Sequence, residues 1–291
     1  MDSITVKAYG KLNLYLDITG RREDGYHLLR SVMQSVSVYD TLVFSLGDGD
    51  GVKLICDTPG FPLDDSNLIC KAYDLFMRRA GVASRGGLTV TVDKCIPSMA
   101  GMAGGSADCA AALTALNELY GFPLDSSELL ELGARLGADV PFTMTGGTVL
   151  CEGIGDLMTK LDDVKDIYFA VVRPNVQIST PAAYKAYDAL TDIDKESFDC
   201  FSKALKANDI KLLSETMFNA LEAAVQVPEI AAVKEKMLSG GALGAMMTGS
   251  GSAVFGVFDD RAAAERFVEG VHDHPFAMVL DPVPFGIEIM R

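Results

Sequence analysis

Several features that would place this 291-residue chain in other protein classes are missing from it. Its six cysteines include no C-x-x-C pair, so the sequence predicts neither a disulfide framework nor a zinc site. No apolar run reaches the ~18 to 20 residues needed to cross a bilayer. The first twenty residues begin acidic and carry lysines within an apolar stretch, unlike a signal peptide. We therefore expect a reduced, cytoplasmic protein with buried free thiols and no membrane contact.

Positive charge is also scarce. The chain has 25 lysines and arginines against 40 acidic residues, a formal net charge of −15. Long nucleic acids require clustered basic residues to displace their counterions, so nucleic acid is not an expected partner. A small anionic ligand remains compatible with this charge, because a local site can hold it against the global field. The basic residues at suggestive positions in the first half are Lys7, Lys11, Arg21, Arg22 and Lys94.

Two familiar phosphate-binding motifs are absent as well. No glycine is followed by a lysine at the spacing of a Walker A loop. The order Gly101, Ala103, Gly104, Gly105 lacks the G-x-G-x-x-G spacing of a dinucleotide-binding fold. An NAD-dependent oxidoreductase is therefore disfavoured.

What the chain does contain is a mixture of strand and helix patterns without a regular βαβ repeat. This mixture predicts an α+β fold. The length predicts about two domains, and a polar stretch at 155–165 suggests a boundary between residues 1–158 and 159–291. We see no internal repeat.

Local patterns predict individual elements. Alternation predicts strands over 4–18 and 32–46, and in the second half over 277–288. A helix is expected after a cap at Asp65 or Ser66, closed by Gly81. Asp125 and Glu128 have the spacing of a capping box, and a further helix is expected over 209–221.

The segment IPSMAGMAGGSADCAAAL, residues 96–113, contains three glycines and six alanines. It follows a predicted strand and leads into a predicted helix over 106–120. A helix N-terminus offers unpaired N–H donors, and small residues let a phosphate reach them. Residues 97–107 therefore suit a polyphosphate. The alternative is that the small residues only let this helix pack closely on a neighbour.

Three other stretches bear on that choice. TGSGSAVF, at 248–255, places a second glycine–serine turn between apolar segments, which is also the pattern of a plain hairpin. Lys11 and Asn13 lie on one face of a predicted strand, where polar groups are rarely buried without a partner or ligand. Asp139 follows a helix end, and Pro141 favours an extended Val140. An aspartate in this position is also a common helix cap.

These stretches together resemble the GHMP kinase superfamily. The resemblance rests on PSMAGMAGGSAD (97–108) and TGSGSAVF, and it covers nearly the whole chain in order. AYGKLNLYLDITGRREDGYH (8–27), SNLI (66–69), LGADVPF (136–142) and ISTPAAY (178–184) are similar to the branch that acts on a cytidine-diphosphate-linked methylerythritol. The resemblance implies an S5-like N-terminal domain, a ferredoxin-like C-terminal domain and a site between them.

The implied activity is transfer of the γ-phosphoryl group of ATP to the 2-hydroxyl of that small molecule, in the non-mevalonate route to isoprenoids. Asp139 would be the general base and Lys11 would support it, with the division of work left open. Mg²⁺ is expected with ATP, with Ser106 as a candidate ligand. The phosphates would contact Pro97, Ser98, Met99, Ala100, Gly101, Met102, Ala103, Gly104, Gly105, Ser106 and Ala107.

The resemblance implies further contacts with both nucleotides. Asn67 and Lys94 would contact ATP. Tyr26 and Tyr184 would enclose the cytosine, His27 would read its edge, and Asn13 would contact the methylerythritol portion. A monomer or a homodimer is compatible with the sequence.

The chain departs from the family pattern at Ala103, where many relatives have glycine, and at Asp108, where asparagine is common. A methyl group at 103 narrows the loop but leaves its N–H groups available. Other functions remain open at this point: a homoserine or mevalonate type of GHMP kinase, or a non-catalytic sugar-nucleotide sensor on the same fold. The DGYH sequence (24–27) disfavours the first, and retention of Lys11 with Asp139 disfavours the second.

Overall fold

The computed structural model describes residues 2–190 and 195–290. Its strands are β1 (Ser3–Arg21), β2 (His27–Gly47), β3 (Val52–Ile55), β4 (Gly87–Asp93), β5 (Thr148–Gly153), β6 (Leu157–Lys160), β7 (Tyr168–Arg173), β8 (Phe218–Asn219), β9 (Gly244–Met247), β10 (Val254–Phe258), β11 (Phe276–Leu280) and β12 (Ile287–Met290).

Its helices are α1 (Leu68–Ala80), α2 (Gly104–Leu119), α3 (Ser126–Leu136), α4 (Val140–Thr145), α5 (Thr180–Asp188), α6 (Phe198–Ala207), α7 (Ile210–Glu215), α8 (Ala220–Ala224), α9 (Pro228–Ser239) and α10 (Arg261–Glu269). No helix in the described ranges is both long and apolar enough to span a membrane.

The strands form two sheets. The first has the order β12-β1-β2-β4-β3, with β5 and β6 continuing beside β2 and with β8 beside β1. The second has the order β11-β7-β10-β9, and all its pairs are antiparallel. Its strands and the intervening helices follow the chain order βαββαβ, which is that of a ferredoxin-like unit. The α+β prediction and the ferredoxin-like second half are therefore confirmed.

The alanine-rich helix α2 lies at the centre of the first half. It packs against β1, α1 and α4. Its alanines at 107, 110, 111, 112 and 115 are fully buried. Small side chains let the helix approach the sheet closely, so close packing explains this part of the small-residue segment. β1 is covered on both faces from Ala8 to Leu16 as a result.

The chain crosses between the two predicted domains more than once. β6 spans 157–160, so a division at 158/159 falls inside a strand of the first sheet. The last strand, β12, returns from the second half to pair with β1, and β8 does the same. The two-domain division at this residue stays a prediction.

Four local predictions need correction. Asn67 caps α1, in place of Asp65 or Ser66, because its side chain accepts the N–H of Ile69. Val140 begins α4 instead of extending the chain, since Pro141 is tolerated in a first helical turn. The helix expected over 209–221 is interrupted by β8, and the strand expected over 277–288 is two strands in different sheets.

Other local predictions are confirmed. The capping box joins Asp125 and Glu128 at the start of α3, with each side chain bonded to the other residue's backbone N–H. Gly81 closes α1 at a φ of +62°.

Candidate active site

A cavity of about 1340 Å³ opens between the two sheets. It is lined by β1, the start of β2, the loop before α2, the residues before α4, the start of α5 and the turn between β9 and β10. Every residue predicted for the site lines it except Ala107.

Lys11 and Asn13 lie side by side at the cavity wall, as the alternation of β1 predicts. Lys11 is 3% exposed, and its Nζ donates to Asn13 Oδ1 at 2.5 Å. Asn13 Nδ2 in turn donates to Ser31 Oγ at 2.9 Å. The lysine ammonium is thus held by an amide whose own orientation is fixed.

Asp139 faces this lysine from the residue before α4. Its Oδ2 lies 3.8 Å from Lys11 Nζ, and its side chain is 32% exposed. Its side chain makes no capping hydrogen bond to α4. The carboxylate is therefore next to a cation but open to the cavity, where a bound hydroxyl group could reach it.

The loop before α2 is tied to two neighbouring elements. Lys11 N–H donates to Met102 O at 3.1 Å, and Ala253 N–H donates to Ala100 O at 3.2 Å. A Cβ at Gly101, whose φ is +74°, would lie 2.1 Å from Thr248 O, so only glycine permits this approach. Ala103 adopts a left-handed φ of +61°, which explains why glycine suits this position.

The N-terminus of α2 presents free donors to the cavity. Ala103, its cap residue, makes no side-chain hydrogen bond, and Ala107 is the first residue of α2 whose N–H bonds within the helix, to Ala103 O at 2.9 Å. The N–H groups of residues 104–106 precede this bond and lack an intrahelical partner. A Cβ at Gly105 would meet nothing within 4 Å. This end of the segment suits an anion.

Ala107 does not belong to this surface. It is fully buried, and its N–H is committed to the helix. The structure gives no support to the expected phosphate contact at this residue, which stays a prediction, because the helix is already closed there. Ser106 is the last residue of the segment that lines the cavity.

Lys94 lies in a buried ion triad. Its Nζ donates to Asp40 Oδ2 and, at 2.7 Å, to Asp108 Oδ2. The other oxygen of Asp40 accepts the N–H groups of Cys95 and Ile96 at 2.7 and 2.8 Å. The triad therefore joins β2, α2 and the start of the loop before α2.

Burial and the neighbouring charges act in opposite directions on two members of this triad. Burial raises the pKa of Asp108 to about 7, although Lys94 opposes the shift. Burial lowers the pKa of Lys94, but the charges of Asp108 and Asp40 outweigh it and the net direction is upward. Lys94 lines the cavity, yet its ammonium is already occupied by two carboxylates.

The side chain of Asn67 is also held by hydrogen bonds to neighbouring backbone groups. Its Oδ1 accepts the N–H of Ile69, and its Nδ2 donates to Pro62 O at 2.8 Å. The side chain is 8% exposed and lines the cavity. Its contact with ATP stays a prediction.

Aromatic residues collect at the other end of the cavity. The rings of His27 and Tyr184 are stacked, with centroids 4.8 Å apart. Tyr26 is 64% exposed. Since His27 already covers one face of Tyr184, a base can stack only on the other face. Burial, with the charge of Asp139, raises the pKa of Tyr184 to about 12, so its hydroxyl remains protonated at neutral pH.

Sequence reasoning missed three groups at this site. Thr248 Oγ1 accepts the backbone N–H of Asn13 at 3.0 Å, which joins the glycine–serine turn to β1. Asp40 and Asp108 complete the Lys94 triad. Asp188 binds His27, with 2.6 Å between Oδ1 and Nε2. Thr248 and Asp108 stand in the quoted glycine-rich motifs, but nothing local in the sequence shows which side chains they contact.

A part of each half of the chain matches a known protein family. Residues 67–147 match the family described as GHMP kinases N terminal domain, and residues 201–275 match GHMP kinases C terminal. Together these matches span more than half of the chain.

Similar proteins carry a consistent name. A 4-diphosphocytidyl-2-C-methyl-D-erythritol kinase of Clostridium botulinum (strain Alaska E43 / Type E3) is 41% identical over 266 residues, covering 91% of this chain and 94% of that protein. A protein of the same name from Caldicellulosiruptor saccharolyticus is 40% identical over 267 residues, which cover 90% of this chain and 91% of that protein.

Solved structures agree on the fold. A crystal structure of 4-(cytidine 5'-diphospho)-2C-methyl-D-erythritol kinase matches with a TM-score of 0.79 at 30% identity, covering 96% of this chain and 100% of that one. A homoserine kinase from Cytophaga hutchinsonii matches with a TM-score of 0.77 at 20% identity, and the match covers 100% of this chain and 98% of that one. At that identity the second likeness shows the fold alone.

Proposed function

The chain belongs to the GHMP kinase family, and from that premise we propose that it is an ATP-dependent 4-diphosphocytidyl-2-C-methyl-D-erythritol kinase. The reaction transfers the γ-phosphoryl group to the substrate's 2-hydroxyl, in non-mevalonate isoprenoid precursor synthesis. One observation carries the proposal: a single cavity contains a lysine–aspartate pair, an open helix N-terminus and a group of aromatic residues. The name shared by relatives about 40% identical supports the substrate.

Asp139 is the proposed general base. The acceptor is a tertiary alcohol, whose hydroxyl is weakly acidic and a poor nucleophile. A carboxylate that takes the proton during attack removes this difficulty. Lys11, 3.8 Å away, supplies positive charge where negative charge develops on the reacting oxygens. Asn13 holds that ammonium in place through its amide oxygen.

The open end of α2 is the proposed phosphate cradle. Its first N–H groups and the positive end of the helix dipole favour a polyanion. Phosphoryl transfer depends mainly on alignment and charge neutralisation, which such a cradle provides. The loop at 97–103 is anchored to β1 and to the turn at 248–253, so the phosphates would meet a fixed surface.

Mg²⁺ bound with ATP would neutralise phosphate charge at this end of the cavity. No group of three or more His, Cys, Asp or Glu side chains in residues 2–190 and 195–290 is arranged to hold a metal ion. The donors present suit an ion held mostly by phosphates and water, which is typical of Mg²⁺. Ser106, in the first turn of α2 and at the cavity wall, is the proposed protein ligand.

The aromatic end is the proposed cytidine site. Tyr184 lines the cavity and is proposed to stack on the base with the face that His27 does not cover, and the exposed Tyr26 is available to cover the base from the other side. Asn13 is proposed to contact the methylerythritol portion between the two nucleotides. The cytoplasmic location and the monomeric or dimeric state remain predictions.

The test is ATP turnover by the purified chain with three acceptors in parallel. We expect phosphorylation of the cytidine-diphosphate compound and little with mevalonate or homoserine. If the protein prefers mevalonate or homoserine, the proposed substrate is wrong and the protein is another kinase of the same family. Binding of the cytidine compound without turnover by the unmodified protein would favour the sensor.

A further inference from the structure

The turn between β9 and β10, residues 248–253, lies against the proposed reacting pair. Its residues 249–251 line the cavity. A Cβ at Gly249 would lie 3.3 Å from Lys11 Nζ, so the backbone of the turn is directly beside the ammonium. The position of this turn therefore decides how closely the Lys11 ammonium is covered.

The same turn is joined to two other elements of the site. Thr248 Oγ1 accepts the backbone N–H of Asn13, in β1, at 3.0 Å. Ala253 N–H donates to Ala100 O, in the loop before α2, at 3.2 Å. A displacement of the turn would consequently be transmitted to β1 and to this loop.

Asn219, the last residue of β8, holds the turn from behind. Its Nδ2 donates to Met247 O at 2.7 Å and to Gly249 O at 2.9 Å. Its Oδ1 accepts the N–H of Leu221 at 3.0 Å, which caps α8. Both N–H groups of one amide are thus used to fix two carbonyl groups where the turn begins.

The strand that carries Asn219 is itself fixed. β8 pairs in parallel with β1, with Asn219 opposite Leu16. Glu222, in α8, accepts the N–H of Met247 at 2.6 Å, so both backbone polar groups of Met247 are held from this side. Asn219 is 4% exposed and is not one of the residues that line the cavity. Its influence on a bound substrate must therefore pass through the turn.

We infer that Asn219 is a positioning residue for the reaction, which holds the 248–253 turn against Lys11 and Asn13. The ammonium then keeps the place from which it supports Asp139. An amide suits this role because it supplies two N–H groups and an acceptor oxygen, whereas a carboxylate of the same shape has no N–H group. The inference rests on the proposed function where it concerns turnover, since Lys11 and Asp139 are the proposed reacting pair.

Loss of the two amide donors should lower kcat more than ATP affinity. The phosphates are proposed to bind at the start of α2, and the loop before this helix keeps the bond from Lys11 N–H to Met102 O. The Lys11 ammonium, by contrast, has the turn directly beside it. A small displacement of a reacting group lowers the rate steeply even where binding is preserved.

The first experiment compares Asn219→Asp and Asn219→Ser, with Asn117→Asp as the matched control. Both substitutions at 219 keep an oxygen that can cap α8, and neither side chain can donate to both carbonyl groups. Asn117 is also buried, and its amide bonds both the N–H and the carbonyl of Leu124, but it lies near the end of α2, away from the cavity.

Turnover and ATP affinity are measured at a temperature at which every variant is folded. Both substitutions of Asn219 should lower kcat about tenfold or more, while the Kd for ATP changes less than about threefold. Asn117→Asp should lower the melting temperature and leave kcat unchanged. Unchanged kcat in the folded Asn219 variants would overturn the inference and leave the proposed function intact. If Asn219→Asp does not fold, Asn219→Ser decides.

A double-mutant cycle separates action through the turn from a general structural role. Thr248→Val removes the hydroxyl that accepts the Asn13 N–H and nearly keeps the shape of the side chain. In that background Asn219→Ser should lower kcat by a smaller factor than it does alone, because the turn has already lost its bond to β1. Equal factors in both backgrounds would contradict action through the turn.

The second experiment needs no turnover. A buried, hydrogen-bonded ammonium group is protected from proton exchange with water, and Lys11 and Lys94 are both buried. Nitrogen-15 spectra of the lysine ammonium groups, assigned with Lys11→Met, should show faster exchange at Lys11 in Asn219→Ser and unchanged exchange at Lys94. No change at Lys11, or faster exchange at both lysines, would overturn the inference. If the unmodified protein phosphorylates none of the acceptors, the proposed function fails, and these spectra still decide whether Asn219 holds the turn against Lys11.

Discussion

Lys11 and Lys94 are both buried lysines at the wall of one cavity, and their surroundings differ. The side chain of Lys94 is 5% exposed and is bonded to two carboxylates that are themselves buried. Lys11 is equally buried but has one amide partner and one carboxylate, partly exposed, at 3.8 Å. The first lysine is neutralised by the fold, whereas the second retains charge that a substrate can use. Burial by itself therefore does not distinguish a structural lysine from a functional one.

The largest expected effect follows removal of the structural lysine. Lys94→Met leaves Asp40 and Asp108 buried without their cation, which should lower the free energy of unfolding by about 3–5 kcal/mol. Denaturant unfolding measures this change. Lys11→Met is the matched control and should change stability much less, because Asp139 retains contact with water. Adding Asp108→Asn to Lys94→Met should recover part of the loss, and no recovery would contradict the triad as the cause.

Substitution of Asp139 or Lys11 should lower turnover and leave stability nearly unchanged, the opposite of what is expected for Lys94. Asp139→Asn keeps the shape of the side chain but cannot take the acceptor's proton, so turnover should fall about 100-fold or more. ATP affinity and the melting temperature should remain near those of the unmodified protein. Lys11→Met should also lower kcat. Near-normal turnover in Asp139→Asn would refute its assignment as the base.

The small-residue segment at 96–113 also divides into a functional part and a structural part. Gly105→Val places a side chain in space that is open towards the phosphate cradle, so ATP affinity should fall at least about tenfold with little loss of stability. Ala110→Val overfills a fully buried position of the same helix and should cost about 1–3 kcal/mol of stability. Calorimetry and thermal melting on both variants test the difference. A destabilised Gly105→Val with intact ATP binding would mean that packing explains the whole segment.

The last test concerns the pH dependence of stability. The pKa of Asp108 is raised from 3.8 to about 7 in the folded chain, so between about pH 4 and pH 7 the folded state holds more protons than the unfolded state. This group therefore lowers stability as pH rises through that window. In Asp108→Asn the unfolding free energy should depend less on pH there. An unchanged or steeper dependence would contradict burial as the main cause of the shift.

Much of the site was predictable where one short segment determines it. The alternation of β1 places Lys11 and Asn13 together, and small residues at the start of α2 predict an anion site. The same composition did not separate Gly105 from Ala107, because the difference lies in which N–H is already bonded to the preceding turn. The cap of α1 was misplaced because three polar residues in a row all suit that role, and only Asn67 reaches the N–H of Ile69.

The sequence by itself determined the α+β class, the family resemblance, the small-residue segment proposed to bind an anion and the pair of polar residues on β1, since each depends on neighbours along the chain. The tertiary structure decided the rest. Asp40 and Asp108 meet Lys94 from β2 and α2, Asp139 approaches Lys11 from the residue before α4, and Asp188 reaches His27 from α5. These partners are between 14 and 161 residues apart in sequence. Local propensity carries no information about such pairs, because only the packing of the elements brings their charges within a few ångströms.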